Sequence, residues 1–270
     1  VKRVVEPIIL LNHDWSIDEN SSLETSIGYQ FGEMGNSRLD YAGGGNPSPA
    51  YYQDLPSYFL ADTNGPDYEG AYIAQENFVN DGQINWNRIY DANITNNLSN
   101  LNAAYVLYED RVDDTQLTIN SAYNREINEN IKITSSVNYR NLVSDNFAEI
   151  SDMLGGYSYS NIDSFDNLDY NLLSPNSIIS DGDKFKYHYK MNAEEISLFS
   201  MINFSFNKLE FYLAGDLTNT TYQRDGIFEN EANAGNSAGK GDEISFDGYG
   251  IKAGITYKFS GKHILDFNSA

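Results

Sequence analysis

Residues 248–259, Gly248-Tyr-Gly-Ile-Lys-Ala-Gly-Ile-Thr-Tyr-Lys-Phe259, alternate without a break. Tyr249, Ile251, Ala253, Ile255, Tyr257 and Phe259 fall on one side of an extended chain, against Gly248, Gly250, Lys252, Gly254, Thr256 and Lys258 on the other. A period of two marks a β-strand whose two faces meet different surroundings. The second face holds only glycine, lysine and threonine. A water-filled lumen accepts such a face; a packed core between two sheets would strand the lysines without partners.

The same alternation recurs along the chain. Ile9, Leu11, His13, Trp15 and Ile17 share a face, as do Leu23, Ile27, Tyr29 and Phe31. Further on, Leu117, Ile119 and Tyr123, then Ile131, Ile133, Val137 and Tyr139, and later Leu209, Phe211, Leu213 and Leu217 repeat it. Eight strands are predicted, at about 5–17, 22–38, 103–126, 131–143, 185–205, 208–224, 243–259 and 263–270. They are joined alternately by short links and long polar stretches. The short ones, around Glu19-Asn20, Glu129-Asn130, Asn207-Lys208 and Gly261-Lys262, have hairpin length and turn chemistry. The long ones, at about 39–102, 144–184 and 225–242, are too long for an ordinary compact domain. Tight turns at one end and long loops at the other are what a bilayer imposes on an outer-membrane barrel. The predicted fold class is therefore all-β: antiparallel up-and-down transmembrane strands, with 1–270 forming part of one barrel domain. Within the first long loop, Ile84–Leu98 has near-helical apolar spacing and predicts a short helix.

Composition narrows the function. The chain has 270 residues, a net charge of −22, no cysteine, and 21 Tyr and 14 Phe against 2 Trp. Such acidity disfavours binding to the phosphate backbone of nucleic acid. The three long loops hold 20 of the 39 acidic residues but only 3 of the 17 basic ones, so negative charge collects at one end. No run approaches the roughly 20 apolar residues of a membrane-spanning helix. The opening VKRVVEPIILLNHDW does not read as a signal peptide, and HILDFNSA reads as the middle of a strand. The stretch is therefore expected to be internal to a larger barrel.

No catalytic constellation emerges: His13, His188 and His263 lie in separate strands, and no serine sits in a nucleophile-elbow context. The run Gly43 to Pro49 lacks the lysine of a phosphate-binding loop. The acids Asp163, Asp166 and Asp169, and Asp181 with Asp183, lie in oxygen-rich loops of the kind that can hold calcium, but their spacing is not that of an EF-hand, and solvated loop acids are the favoured reading. No enzyme activity, metal or cofactor is expected. The candidate ligand-contacting residues are the loop aromatics Tyr51, Tyr52, Tyr58, Phe59 and Trp86 in the first long loop and Tyr157 and Tyr159 in the second. Aromatic faces beside hydrogen-bonding groups suit glycans, small molecules or peptides.

The segments LNHDWSIDENSSLETSIGYQFGEMGNSRLDY (11–41), NPSPAYYQDLPSYFL (46–60) and FDGYGIKAGITYKFSGKHILDFNSA (246–270) resemble TonB-dependent receptors of the Bacteroidota, in particular those with a carboxypeptidase-regulatory-like extension. The resemblance runs over essentially the whole stretch and lies in the order and spacing of segments. It implies a 22-stranded barrel in the cell outer membrane, in contact with lipid, importing an extracellular ligand with energy delivered by TonB through a plug domain. The TonB box, the plug domain and an aromatic C-terminal signal are not found in this sequence. Two other readings are a porin-like barrel without a plug and a soluble secreted β-rich glycan-binding module.

Overall fold

Each two-residue turn returns the chain antiparallel beside itself, and the eight-place meander follows from that. The computed structural model describes residues 2–61 and 65–270. Its principal strands are β1 (Lys2–Val5), β2 (Ile8–Asp18), β3 (Ser21–Tyr41), β4 (Tyr105–Asn128), β5 (Ile131–Asp152), β8 (Lys184–Phe206), β9 (Leu209–Gly226), β11 (Ile244–Ser260) and β12 (His263–Ser269). All neighbours pair antiparallel, in chain order, with β1 and β2 sharing the place beside β3. Short strands β6 (Tyr159–Ser160) and β7 (Ile178–Ile179) pair within the second long loop, and β10 (Gly239–Lys240) folds back on β9. The first long loop carries helices α1 (Pro56–Leu60), α2 (Tyr68–Asp81) and α3 (Trp86–Leu98).

Register carries the two faces across the whole sheet. One rung runs Leu11–Ile27–Ile119–Tyr139–Ile196, and another joins Leu198, Leu217 and Tyr249. One step along, the opposite face reads Asn12–Ser26–Asn120–Asn138–Ser197–Thr218–Gly248. The amides there bond across strands: Asn120 to Asn138, and Asn138 Nδ2 to Ser197 Oγ at 3.2 Å. The apolar face is bare, with Leu11 63%, Leu217 59% and Ile251 69% exposed and no second sheet over it among the described residues. This is the geometry of an up-and-down barrel wall, not of a sandwich.

The apolar band has a definite upper edge. On β3, β4 and β5 its last rung is Phe31–Thr115–Val143, and the next rung on the same face is Glu33–Asp113–Asp145; on β8 the band ends lower, because the rung Tyr29–Leu117 continues through Asn141 to Glu194. Arg111 pairs with two of these acids, Glu33 Oε2 at 2.5 Å and Asp113 Oδ2 at 2.9 Å, and with Glu149 Oε1 nearer the loops at 3.6 Å, while Asp145 pairs with Lys184 at 3.4 Å. From Leu23 to Phe31 the band is about nine residues tall, the length a tilted strand needs to span hydrocarbon. Strands β3, β4, β5 and β8 run 21 to 24 residues, so their upper halves stand clear of it.

Two departures from the sequence reading have physical causes. The first predicted strand is broken at Glu6-Pro7, because proline brings no N–H to a ladder. Gly32 lies opposite that break, where a Cβ would collide with the Val5 carbonyl. The fourth strand continues past 143 to Asp152, through a stretch first read as loop. There Phe147, Ala148 and Ile150 are all buried, so both faces are covered and the alternation that marks a half-exposed strand disappears.

Candidate functional site

The loop-side halves of the strands support two small cores. Val106, Tyr108, Ala148, Ile150 and Phe185 pack with Met153, Tyr159 and Ile179 of the second loop. Ile89 of α3 packs on Ala104, Tyr105 and Leu154, with Leu39, Tyr41 and Leu107 at its margin. Between them sits Asn93, fully buried. Its Nδ2 donates to the carbonyls of Tyr105 at 2.8 Å, Met153 at 3.1 Å and Leu154 at 3.1 Å. Its Oδ1 accepts from the Ala104 N–H at 2.8 Å and the Tyr105 N–H at 3.1 Å. One side chain thus ties α3 to β4 and to the start of the second loop.

Beside this anchor the first loop lines a half-open cavity of about 480 Å³. Its walls are the 46–49 segment, Asp54 and Phe59, the C-terminal turn of α2 with Asn77, Phe78 and Asp81, and the N-terminal turn of α3 with Asn85 and Arg88. Ile89 and Tyr105 close the base. The Tyr105 hydroxyl donates to Gly45 O at 2.8 Å and pins the segment leading to the 46–49 wall. Asn85 caps α3 by accepting from the Arg88 N–H at 3.0 Å, and Asp67 caps α2 through the Gly70 N–H at 2.9 Å.

The candidate aromatics separate into three groups. Tyr51, Tyr52, Tyr58 and Phe59 form one edge-to-face series, with centroids 4.9, 5.8 and 5.7 Å apart in turn. Of the four, Phe59 reaches the cavity wall. Trp86, 44% exposed, opens α3, and Tyr157, 80% exposed, stands beyond that helix's other end, where its N–H bonds Asn97 Oδ1 at 3.3 Å. Tyr159 is a packing residue: it is 2% exposed, and its hydroxyl donates to Asp40 Oδ2 at 3.0 Å. Burial and that carboxylate push its phenol well above the ordinary tyrosine range.

Similarity to known proteins is distant. No protein-family model matches the sequence, and no curated protein does. Among solved structures, the chain is similar to the ferric-catecholate import receptor Fiu of E. coli K12. Its closed form gives 9% identity and a TM-score of 0.47 over 96% of this chain and 31% of the receptor. The open form gives 9% and 0.48 over 96% and 34%. The toluene transporter TbuX of Ralstonia pickettii gives 7% and 0.30 over 98% of this chain and 63% of the transporter. The chain spans about a third of the receptor's length.

The loop acids have structural employment. Asp163 Oδ1 accepts from the N–H of Phe165 at 2.8 Å, and its Oδ2 from the Tyr170 hydroxyl at 3.1 Å. Asp169 accepts from the Asn171 N–H at 3.0 Å, and Asp183 from the Ser180 N–H at 2.8 Å. Among the described residues no three acidic or histidine side chains gather as a metal site. The cavity's polar residues, Asp54, Asn77, Asp81 and Arg88, escape a search for aromatics. One signal was available: Arg88 is the only basic residue between positions 39 and 102.

Proposed function

We propose that this chain forms part of the wall of an outer-membrane barrel that imports an extracellular ligand. In this reading the tight turns face the periplasm and the acidic, tyrosine-rich loops face outward. The observation that carries it is the sheet itself. A mainly apolar band, about nine residues tall on β3 and interspersed with small hydroxyl residues such as Thr25, Ser121 and Ser135, lies uncovered on one face, a hydrogen-bonded amide and hydroxyl lattice lies on the other, and a charged rung closes the band on the loop side. Bare Leu, Ile and Tyr side chains in a continuous sheet face are tolerable in hydrocarbon and an aggregation hazard in water.

The finer reading is a TonB-dependent receptor of the Bacteroidota type, with TonB acting through a plug domain in the barrel lumen. The order and spacing of the segments at 11–41, 46–60 and 246–270 support it. The full-length gene tests it: a plug domain encoded before residue 1 is expected, and its absence would favour an open porin-like barrel. Expression tests the coarser reading. The protein is expected to stay monodisperse only in detergent or lipid, and a detergent-free soluble monomer would contradict it.

A further inference from the structure

The cavity in the first loop is lined by charges of both signs, and two of them sit where helices do not favour them. Asp81 closes the last turn of α2, which has no basic residue. Arg88 stands in the first turn of α3, which has no acidic residue. Helix C-termini carry partial negative charge and N-termini partial positive charge, so Asp81 and Arg88 each reinforce the dipole that a stabilising side chain would oppose. Both line the cavity, as does Asp54. All three are exposed, and among the described residues none of them makes an ion pair, as is also true of Arg125, Arg140 and Arg224. Charges of both signs on the two helix turns that line one cavity match a ligand that itself carries both.

We propose that this cavity binds a zwitterionic ligand of amino-acid to short-peptide size. Its carboxylate meets Arg88 and the N-terminal turn of α3, and its ammonium meets Asp81, Asp54 and the C-terminal turn of α2. The volume of about 480 Å³ falls within the range of small-ligand pockets. Asn77 and Asn85, on the same two turns, supply neutral donors and acceptors for a peptide unit between the charged ends. Phe59 and Phe78 line the wall for side chains of modest size. The proposal rests on the reading of this loop as the outward, ligand-receiving end of the barrel, and it narrows the ligand to one with opposite charges at its two ends.

The test is calorimetric titration of the full-length protein, folded in detergent micelles, with trialanine, N-acetyl-trialanine, trialanine amide and maltotriose. Trialanine is expected to bind, and capping either end to weaken binding about tenfold or more, as loss of one charge-assisted contact does. Arg88→Gln should erase the difference between trialanine and its amide, and Asp81→Asn the difference between trialanine and its acetylated form. Both substitutions remove a charge that opposes its helix, so the fold should be at least as stable, which separates lost binding from unfolding. Equal affinity for free and capped peptides, binding of maltotriose in preference to trialanine, or no peptide binding by folded protein would each overturn the proposal. A protein that stays soluble without detergent would contradict the membrane reading instead, and the same titration would still decide the cavity.

Discussion

Asn93 shows how one polar side chain can organise an extramembrane layer. In the middle of a helix an asparagine is unremarkable by propensity, and nothing in its neighbours announces burial. In the fold it bonds five backbone groups, of which the Met153 carbonyl also accepts from the Gly156 N–H. Replacing it by leucine keeps the volume and removes all five bonds, at a cost of about 3 kcal/mol, since each buried group left unpaired costs ~1–3 kcal/mol. Hydrogen exchange should report it directly. The Ala104 and Tyr105 amides are expected to lose protection in Asn93→Leu, and unchanged protection would show that α3 is held by its apolar contacts alone. The same invisibility explains Tyr159. From sequence it reads as one more exposed loop tyrosine; only the pairing of β6 with β7 and the Asp40 carboxylate across the sheet turn it into core.

Among the elements, strands β8 and β9 carry the clearest contrast between faces. Leu198 pairs with Leu217 in the apolar band, while Ser197 pairs with Thr218 on the polar face. Arginine at 198 should cost about 2–4 kcal/mol in a folded, lipid-embedded barrel. Arginine at 197, facing water, should cost less than about 1 kcal/mol. Urea titrations of refolding into lipid vesicles would compare the two, and equal penalties would contradict the assignment of faces.

Above the band, His188 links β8 to the third loop. Its carbonyl accepts the N–H groups of Ile227 at 2.9 Å and Phe228 at 3.1 Å, and its ring stacks edge-on to Phe228 at 5.6 Å. Burial and the neighbouring Lys184 lower its pKa from the ordinary 6.5, against the opposing pull of Asp145. A histidine held below its unfolded value contributes stability that is complete above about 6.5 and declines as pH falls beneath it. Protection factors at the Ile227 and Phe228 amides, which divide out the intrinsic pH dependence of exchange, should therefore fall between pH 7.5 and 5. His188→Gln should flatten that dependence, and an unchanged slope in the variant would point to another group.

At this scale the sequence was most informative. Every tight turn fell where the alternation broke: two residues join each pair of strands, and a bulge beside three of the four turns, at Ser16/Asp18, Glu126/Asn128 and Lys258/Ser260, shifts the register by one. Strand ends were less legible wherever loops cover both faces, as in 144–152. Helix α2 was not predicted: its inward residues are the small Ala71 and Ala74, which give almost no apolar periodicity.

For the molecule as a whole, the proposed reading makes the sheet a solvent sorter, with hydrocarbon on one side and water on the other. The two layers it supports on the loop side, one anchored by Asn93 and one by Tyr159, place the first-loop cavity beyond the charged rung. The absence of cysteine makes the central claim directly measurable. Single cysteines at each position from 211 to 218 can carry a spin label in the protein reconstituted into lipid vesicles. Collisions with dissolved oxygen, which concentrates in lipid, can then be compared with those of a water-soluble nickel chelate. Labels at 211, 213, 215 and 217 should favour oxygen, and labels at 212, 214, 216 and 218 the chelate. Loss of that two-residue period, or its reversal, would contradict the account of this chain as a membrane-spanning barrel wall.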